Sequence, residues 1–261
     1  MTAPVSLEVK EGVARILLER PDSGNALDVA MKDALAAAVE RVSRDRAVRA
    51  VLLAASGRSF CVGGDIGAMR GAGPRLPEWI DALAGALGDV VLALSRLPVP
   101  VVSAVQGPVA GGGIGLALCA DVVLAAEAMR LRGGYTGIGL TPDLGASWFL
   151  ERRAGPARAK EILLQNRALT AAECLAWGLV DAVHPDTLLA AEAEALARRL
   201  AGGATLALGR AKALVDGAAS RTLEEHLARE RESMVASART EDAREGLTAF
   251  LEKRPPRFAG K

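Results

Sequence analysis

The chain has 261 residues, of which 51% are apolar and 24% charged, and its formal net charge at pH 7 is +1. This length and composition can supply the core of one or two domains. The near-zero charge argues against non-specific nucleic-acid binding, which needs many uncompensated Lys and Arg side chains.

The termini, cysteines and histidines narrow the class of protein further. Residues 1–12 lack the apolar run of a signal peptide, and no run of about 20 uncharged apolar residues predicts a membrane span. Three widely spaced cysteines indicate reduced thiols in a cytoplasmic protein rather than a disulfide framework. With two histidines and no paired cysteines, we expect no metal site.

The first half of the chain alternates short strands with helices. Residues 5–20 alternate apolar and polar side chains around a Glu-Gly pair, which predicts a β-hairpin. Asp28 is suited to cap the following segment of helical apolar spacing. A buried strand is predicted at 49–56, and a long helix over roughly 77–97 follows a glycine-containing loop.

The second half continues this pattern and then becomes mostly helical. A buried strand at 99–107 leads through a glycine-rich turn into a helix, and two short strands follow within 120–132. From about 143 onward we predict helices with one brief strand at 179–183. The recurring strand-strand-helix unit predicts an α/β fold with a helical C-terminal part.

Two glycine-bearing turns, at 59–66 and 107–115, follow predicted buried strands. Glycine allows a tight turn and close approach of a ligand to backbone N–H groups, and a helix N-terminus adds unpaired donors. If adjacent, the two turns could aim two donors at one oxygen and form an oxyanion hole. They could equally be ordinary strand-to-helix turns. The spacing fits neither a dinucleotide fingerprint nor a phosphate-binding P-loop.

At these turns the chain resembles the crotonase family, the enoyl-CoA hydratases and isomerases. The resemblance covers nearly the whole chain, in order. It is carried by RPDSGNALD, SFCVGGDIGAM, VPVVSAVQGPVAGGGIGLALCADVVLA, GLTPDLGASWFLERRAGPARAKEILL, ALTAAECLAWGLVDAVHP and REGLTAFLEKRPPRF.

The resemblance implies a spiral of ββα repeats over residues 1–200, which binds and converts an acyl-CoA, and a helical oligomerisation region over 201–261. It implies homotrimers or homohexamers. It implies an acyl-CoA thioester as substrate with no separate cofactor, and no nucleic-acid or membrane partner.

The family's site residues carry over onto matching positions of this chain. The two backbone donors to the thioester oxygen fall on Gly64 and Gly112. The positions that meet the CoA nucleotide are Ala26, Leu27, Asp65 and Ile66. Hydrogen bonds from these two donors to the thioester oxygen would stabilise the enolate that forms when a nearby base removes a proton from the acyl chain.

The chain departs from the hydratases of the family at both glutamate positions. Gly115 and Tyr135 stand where the resemblance places the two carboxylates. Tyr135 could hydrogen-bond the substrate or line the acyl pocket instead. A single acid, Asp143, lies eight residues further on, where the enoyl-CoA and phenylacetyl-CoA-epoxide isomerases of the family have one. Its alternative role is to cap the helix that follows.

We therefore expect an isomerase in which Asp143 shuttles a proton. One alternative is a hydratase-like enzyme with other acid and base groups. Another is an aspartyl-nucleophile hydrolase or dehalogenase, although residues 60–110 contain no histidine base for the dehalogenase reaction. The last is a non-catalytic acyl-CoA-binding member.

Overall fold

The computed structural model describes residues 3–261. Its strands are β1 (Val5–Lys10), β2 (Val13–Leu18), β3 (Ala50–Ala55), β4 (Val101–Val105), β5 (Pro108–Ala110), β6 (Val122–Ala126), β7 (Arg130–Arg132), β8 (Ala168–Thr170) and β9 (Ala182–His184). Its helices are α1 (Val29–Arg44), α2 (Ile66–Ala72), α3 (Leu76–Ser95), α4 (Gly112–Leu118), α5 (Ala146–Gln165), α6 (Ala171–Ala176), α7 (Leu189–Ala201), α8 (Thr205–Ala218), α9 (Leu223–Ala238) and α10 (Glu241–Leu251).

The strands form two sheets. The larger has the order β1-β2-β3-β4-β6-β9, antiparallel at β1 and parallel elsewhere. The smaller has the order β5-β7-β8. Along the chain, β4 and β5 precede α4, and β6 and β7 precede α5, so β4 and β6 of the large sheet are each followed by a small-sheet strand and a helix. At the start of the chain, the hairpin β1-β2 precedes α1. The predicted hairpin, the α/β class and the ββα repeat are thus confirmed.

Alternate side chains of the parallel strands enter two separate cores. Val51 and Leu53 of β3 face the larger core with α1 and α3, while Ala50 and Leu52 face α7. Adjacent residues of a strand point to opposite faces, and a sheet covered on both faces therefore has nearly continuous apolar strands. This explains why β3 and β6 are uninterrupted apolar runs and why β4 is apolar except at Ser103, whose buried hydroxyl donates to the Ala117 carbonyl at 2.8 Å.

The small sheet extends by single bridges toward the two glycine turns. Cys61 pairs with Val109 of β5, and Leu27 pairs with Gly64. These bridges align the segments around residues 27, 61–64 and 109 side by side. The register therefore brings both glycine turns to one place.

Four elements depart from the sequence prediction. The glycine-containing loop continues into α2, which Asp65 caps by accepting from the Ala68 amide at 3.0 Å. Strand β8 lies within the region predicted as helical, and β9 begins three residues after the predicted start of its strand. Helix α5 bends at Gly155, whose ψ is 165°, directly before Pro156.

The C-terminal helices α8, α9 and α10 follow α7, which ends at Ala201. Arg49 connects this region to the large sheet, because its guanidinium donates to Thr205 Oγ1 at 2.9 Å and to the Gly203 carbonyl at 2.7 Å. The division of roles between 1–200 and 201–261 stays a prediction. Across residues 3–261, none of the helices is both long and apolar enough to cross a bilayer.

Candidate active site

The two glycine turns lie against each other. Gly63 has φ +90°, and a Cβ atom added to it would lie 2.9 Å from the Ala110 oxygen and 3.3 Å from the Gly112 nitrogen. Gly64 and Gly112 line one cavity. Within residues 3–261, neither of their amides donates a backbone hydrogen bond in a turn, loop or cap. Because Gly112 is the first residue of α4, its N–H is one of the donors that a helix leaves unpaired.

The Gly64 turn is held by the segment before α1. The Leu27 amide donates to the Gly63 carbonyl at 2.8 Å, and the Asp65 amide donates to the Leu27 carbonyl at 3.0 Å. Arg20 adds an ion pair to Asp28 at 2.7 Å and a longer one to Asp65 at 3.6 Å. The backbone around Gly64 is therefore fixed from both sides.

Asn25 anchors the same segment from inside the fold. Its side chain is fully buried and donates to the Ser56 and Ser59 carbonyls at 3.0 and 2.8 Å. Its Oδ1 accepts from the Arg20 amide at 2.8 Å. A buried amide with all these partners stabilises one loop conformation. Both Asn25 and Arg20 stand in the RPDSGNALD segment, but no role was predicted for either from the sequence.

Asp143 reaches the cavity that Gly64 and Gly112 line. A Cβ atom added to Gly112 would lie 3.4 Å from Asp143 Oδ1. The cavity has a volume of about 20 Å³ and otherwise apolar walls. Its lining residues are Leu27, Gly64, Met69, Trp79, Ile80, Leu83, Ala84, Leu87, Gly112, Asp143 and Leu144. The structure thus brings together the three residues predicted to polarise a thioester and move its proton.

The helix-capping alternative for Asp143 is wrong. Helix α5 begins at Ala146 with Gly145 at its N-cap, and no side chain caps it. Leu144 and Gly145 both have positive φ, of 49° and 75°. These two left-handed residues separate the Asp143 side chain from the helix N-terminus. Only the Asp143 carbonyl binds the helix, by accepting from the Ala146 amide at 2.9 Å.

The carboxyl group of Asp143 instead accepts a hydrogen bond from Tyr135. The Tyr135 hydroxyl lies 2.7 Å from Asp143 Oδ1, and the phenol ring is buried. Burial raises the pKa of Asp143 above its ordinary value, and the Tyr135 hydrogen bond partly offsets this rise. Burial and the neighbouring carboxylate also raise the pKa of Tyr135, so the phenol stays protonated as a donor.

Gly115 lies beneath the loop that carries Asp143. A Cβ atom added to Gly115 would collide with the Leu144 carbonyl oxygen and lie 2.9 Å from its carbon. Backbone cannot move aside as the end of a flexible side chain can. The absence of a carboxylate at position 115 is therefore a steric consequence of where Leu144 lies.

Met69 packs against Gly64. A Cβ atom added to Gly64 would collide with the terminal methyl group of Met69. Methionine is flexible and unbranched, so it can move aside for a ligand at small cost. Nothing in the sequence motifs pointed to Met69, because its role depends on how α2 folds over the turn.

The predicted CoA-binding positions surround the Gly64 turn. Ala26 and Leu27 are buried, and the Ala26 carbonyl accepts from Arg20 at 2.9 Å. Asp65 is half-buried at the start of α2, and Ile66 is 57% exposed beside it. Their contact with CoA stays a prediction. Tyr135 lies behind Asp143, and a direct contact between its hydroxyl and the substrate also stays a prediction.

The spiral of ββα units, with two glycine turns facing one carboxylate, defines the class of crotonase-fold proteins. The chain belongs to the enoyl-CoA hydratase/isomerase family, whose model matches residues 8–261. Membership places it among the acyl-CoA hydratases and isomerases.

Some similar proteins are named isomerases and others are named hydratases. The chain is 38% identical to the 1,2-epoxyphenylacetyl-CoA isomerase of Escherichia coli K12, with 97% of each chain covered. It is 31% identical to the trans-2-decenoyl-[acyl-carrier-protein] isomerase of Streptococcus mutans, again with 97% of each covered. The crystal structure of an enoyl-CoA hydratase from Polaromonas sp. JS666 superposes with a TM-score of 0.93 at 30% identity, covering 98% of this chain and 99% of that one. These names leave open which reaction this chain catalyses.

Proposed function

We propose that this protein is an acyl-CoA isomerase in which Asp143 carries a proton between two carbon atoms of the acyl chain. The observation that supports this is the position of Asp143 in the cavity lined by Gly64 and Gly112, where every other lining side chain is apolar. One carboxylate suffices for an isomerase, because the base that removes a proton can return it. A two-carboxylate hydration lacks its acid at Gly115 and at Tyr135.

With a trans-3-enoyl-CoA the reaction balances without water. Asp143 removes a proton from C2, and the electron pair spreads over a dienolate whose thioester oxygen accepts from the Gly64 and Gly112 amides. Asp143 then returns the proton to C4, so that one C–H bond breaks and one forms while the double bond moves to C2. Each such donor typically lowers the barrier by about 3 kcal/mol.

The raised pKa of Asp143 suits this role. A base must be ionised at the working pH but still hold the proton long enough to return it, and a pKa nearer that pH serves both steps. Burial in the apolar cavity raises the pKa of this carboxyl in the required direction.

The test is conversion of trans-3-enoyl-CoA to the conjugated trans-2 isomer, followed by the absorbance of the conjugated thioester. We expect the wild-type protein to turn over and Asp143→Asn to lose about 10² to 10⁴-fold in kcat. Glu151→Gln is the matched control, because it removes the same charge from an exposed position on α5. Equal activity of Asp143→Asn and wild type would exclude Asp143 as the base.

The relative with 38% identity suggests a second substrate of the same site, the ring epoxide of phenylacetyl-CoA. Trp79 contributes an aromatic wall to the cavity. The same two variants should be assayed with this epoxide, whose ring-opening isomerisation to the oxepin also needs no added atoms. Binding of acyl-CoA without turnover of either substrate would favour a non-catalytic role, and hydration of crotonyl-CoA would favour a hydratase.

We also propose that the reaction needs no cofactor besides the CoA thioester that is its substrate. We further propose that the chain assembles as a homotrimer or homohexamer through residues 201–261. The C-terminal helices expose large apolar side chains, which supports self-association. These include Val215, Leu223, Met234, Leu247, Phe250 and Leu251. A cytoplasmic location is consistent with three buried, unpaired thiols.

A further inference from the structure

The buried Tyr135 hydroxyl donates a hydrogen bond to the Asp143 carboxylate. Tyr135 is the single tyrosine of the chain. Its hydroxyl lies 2.7 Å from Asp143 Oδ1 and 3.4 Å from the Asp143 carbonyl oxygen. Among residues 3–261, no other side chain donates to this carboxylate.

We propose that Tyr135 is a positioning residue that holds Asp143 Oδ1 by this hydrogen bond, stabilises the ionised carboxylate and keeps it directed at the cavity lined by Gly64 and Gly112, where it exchanges the proton with substrate. This inference rests on the proposed isomerase function, which it deepens. It assigns the phenol at a position where the hydratases of the family would have a carboxylate. The phenol then acts through Asp143 rather than on the substrate.

The loop around Tyr135 does not depend on the phenol for its fold. The Ile138 and Leu140 amides donate to the Tyr135 carbonyl at 3.0 and 3.1 Å. The Gly134 amide donates to Asn166 Oδ1 at 2.6 Å, and the Thr136 hydroxyl donates to the Leu163 carbonyl at 2.8 Å. Removing the hydroxyl by Tyr135→Phe therefore leaves these backbone and side-chain bonds in place.

Few other ionisable groups face the Asp143 carboxylate. The buried Cys61 thiol near Tyr135 is neutral, because burial raises its pKa to about 12. The charged groups on the surrounding helices are exposed or bound elsewhere: Asp65 caps α2, and Arg70, Glu78, Asp81, Asp89, Glu151 and Arg152 are exposed. The protonation of Asp143 is thus governed by burial, by Tyr135 and by its own backbone.

A hydrogen bond to the ionised form lowers the pKa of an acid. Removing the Tyr135 hydroxyl therefore raises the pKa of Asp143, and the acid limb of kcat/KM, which reports the ionised base, moves to higher pH. Hydrogen bonds to charged groups are strong enough to move this limb by about one to two pH units.

The first experiment compares pH profiles of trans-3-enoyl-CoA isomerisation for wild type, Tyr135→Phe and Thr136→Val. Thr136→Val is the matched control, since it deletes a hydroxyl from the same loop without touching Asp143. We expect the acid limb to move only in Tyr135→Phe. An unmoved limb, or an equal shift in both variants, would overturn the proposal.

The second experiment strengthens the donor instead of removing it. Because the chain has one tyrosine, growth with 3,5-difluorotyrosine labels position 135 alone. The fluorinated phenol is more acidic and donates more strongly, so the acid limb should move to lower pH, opposite to Tyr135→Phe. A shift in the same direction as Tyr135→Phe would contradict a hydrogen-bonding role.

The third measurement needs no turnover. The ¹⁹F resonance of protein labelled with 3-fluorotyrosine, recorded below pH 8, should titrate with the Asp143 carboxyl and lose that titration in Asp143→Asn. If this coupling is present but neither CoA substrate is converted, the isomerase proposal fails and the positioning contact stands. A resonance that does not titrate would refute the contact itself.

Discussion

Gly115 lies under the Leu144 carbonyl, so the space that a carboxylate would need is filled by backbone. We predict that Gly115→Glu does not convert the protein into a hydratase. The added side chain must displace the Asp143 loop, and overpacking of this kind typically costs about 1 to 3 kcal/mol or more. Crotonyl-CoA hydration, isomerase activity and urea unfolding should be measured together; we expect no hydration and a lower free energy of unfolding.

Gly85 offers a control for this substitution. It lies on the exposed face of α3, and a Cβ atom added there would meet nothing within 4 Å. Gly85→Glu should leave activity unchanged and stabilise the helix by up to about 1 kcal/mol, because glycine is a poor helix former. Hydratase activity gained by Gly115→Glu would show that the Leu144 loop can move aside.

We expect ionisation of the Asp143 carboxyl to lower the free energy of unfolding. Burial raises its pKa in the folded state, so the folded protein holds this proton more tightly than the unfolded chain, whose value is about 3.9. The contribution of the protonated Asp143 to the free energy of unfolding is fully present below the pKa of the unfolded chain. It is lost as pH rises through the pKa of the folded protein. We predict that Asp143→Asn gains stability relative to wild type as pH rises from about 3 to 7.

Thermal unfolding of both proteins across this pH range measures the difference. Glu151→Gln, on the exposed surface of α5, should show no such pH-dependent gain. A stability difference between Asp143→Asn and wild type that does not change with pH would mean that the carboxyl is not perturbed in the folded state.

Around Asp143, some features of the site could be predicted from the sequence and others could not. The two glycine turns were predictable, because glycines after apolar strands leave a local signal. The choice of Gly64 and Gly112 as the donors came from the family resemblance and stays a prediction. The contact between Tyr135 and Asp143 was not predictable, since it depends on left-handed backbone at Leu144 and Gly145, and leucine carries no preference for positive φ. The cap role of Asp143 failed for the same reason.

At the scale of elements, the strands and helices that could be predicted were those whose apolar pattern in the sequence matches their burial in the fold. Strands β3, β4 and β6 are covered on both faces, and their sequences are apolar apart from Ser103. Strand β8 has three residues, is stabilised by pairing with β7, and leads directly into α6, so its sequence resembles the start of a helix. Helix α2 has only seven residues, about two turns, and begins at the Asp65 cap. It is too short for a helical spacing of apolar residues to be recognised in the sequence.

Helix α7 packs against the large sheet through small side chains. Ala193 and Ala197 are fully buried against Leu52, Ala104 and Leu124. We predict that Ala193→Leu destabilises the fold by about 1 to 3 kcal/mol, because the added atoms have no space between helix and sheet. Ala195→Leu, on the exposed side of the same helix, should change the free energy of unfolding by less than about 0.5 kcal/mol.

Urea unfolding of the two variants checks this prediction. Equal stabilities would mean that α7 can shift away from the sheet without cost, and the second core would then be less closely packed than its buried alanines indicate.

At the scale of the whole molecule, the site is assembled from segments far apart in the chain. Leu27, Gly64, Gly112 and Asp143 meet because parallel strands end at one edge and the small sheet aligns the turns that follow. The rigid strands fix the Gly64 and Gly112 turns, while Asp143 stands on a loop. If the proposed roles hold, this division lets proteins of one fold differ in chemistry, since a changed loop moves the proposed acid without moving the proposed oxyanion donors.

The exposed apolar surface of the C-terminal helices belongs to this same scale. Phe250 and Leu251 are 82% and 80% exposed at the end of α10, more than an isolated chain would be expected to leave open. We predict that the wild-type protein sediments as a trimer or hexamer, and that Phe250→Glu shifts it toward monomer because a buried charge at an apolar interface is costly. Leu164→Glu, at an exposed apolar position of α5, is the control. A monomeric wild type, or equal dissociation by both variants, would contradict an oligomerisation role specific to 201–261.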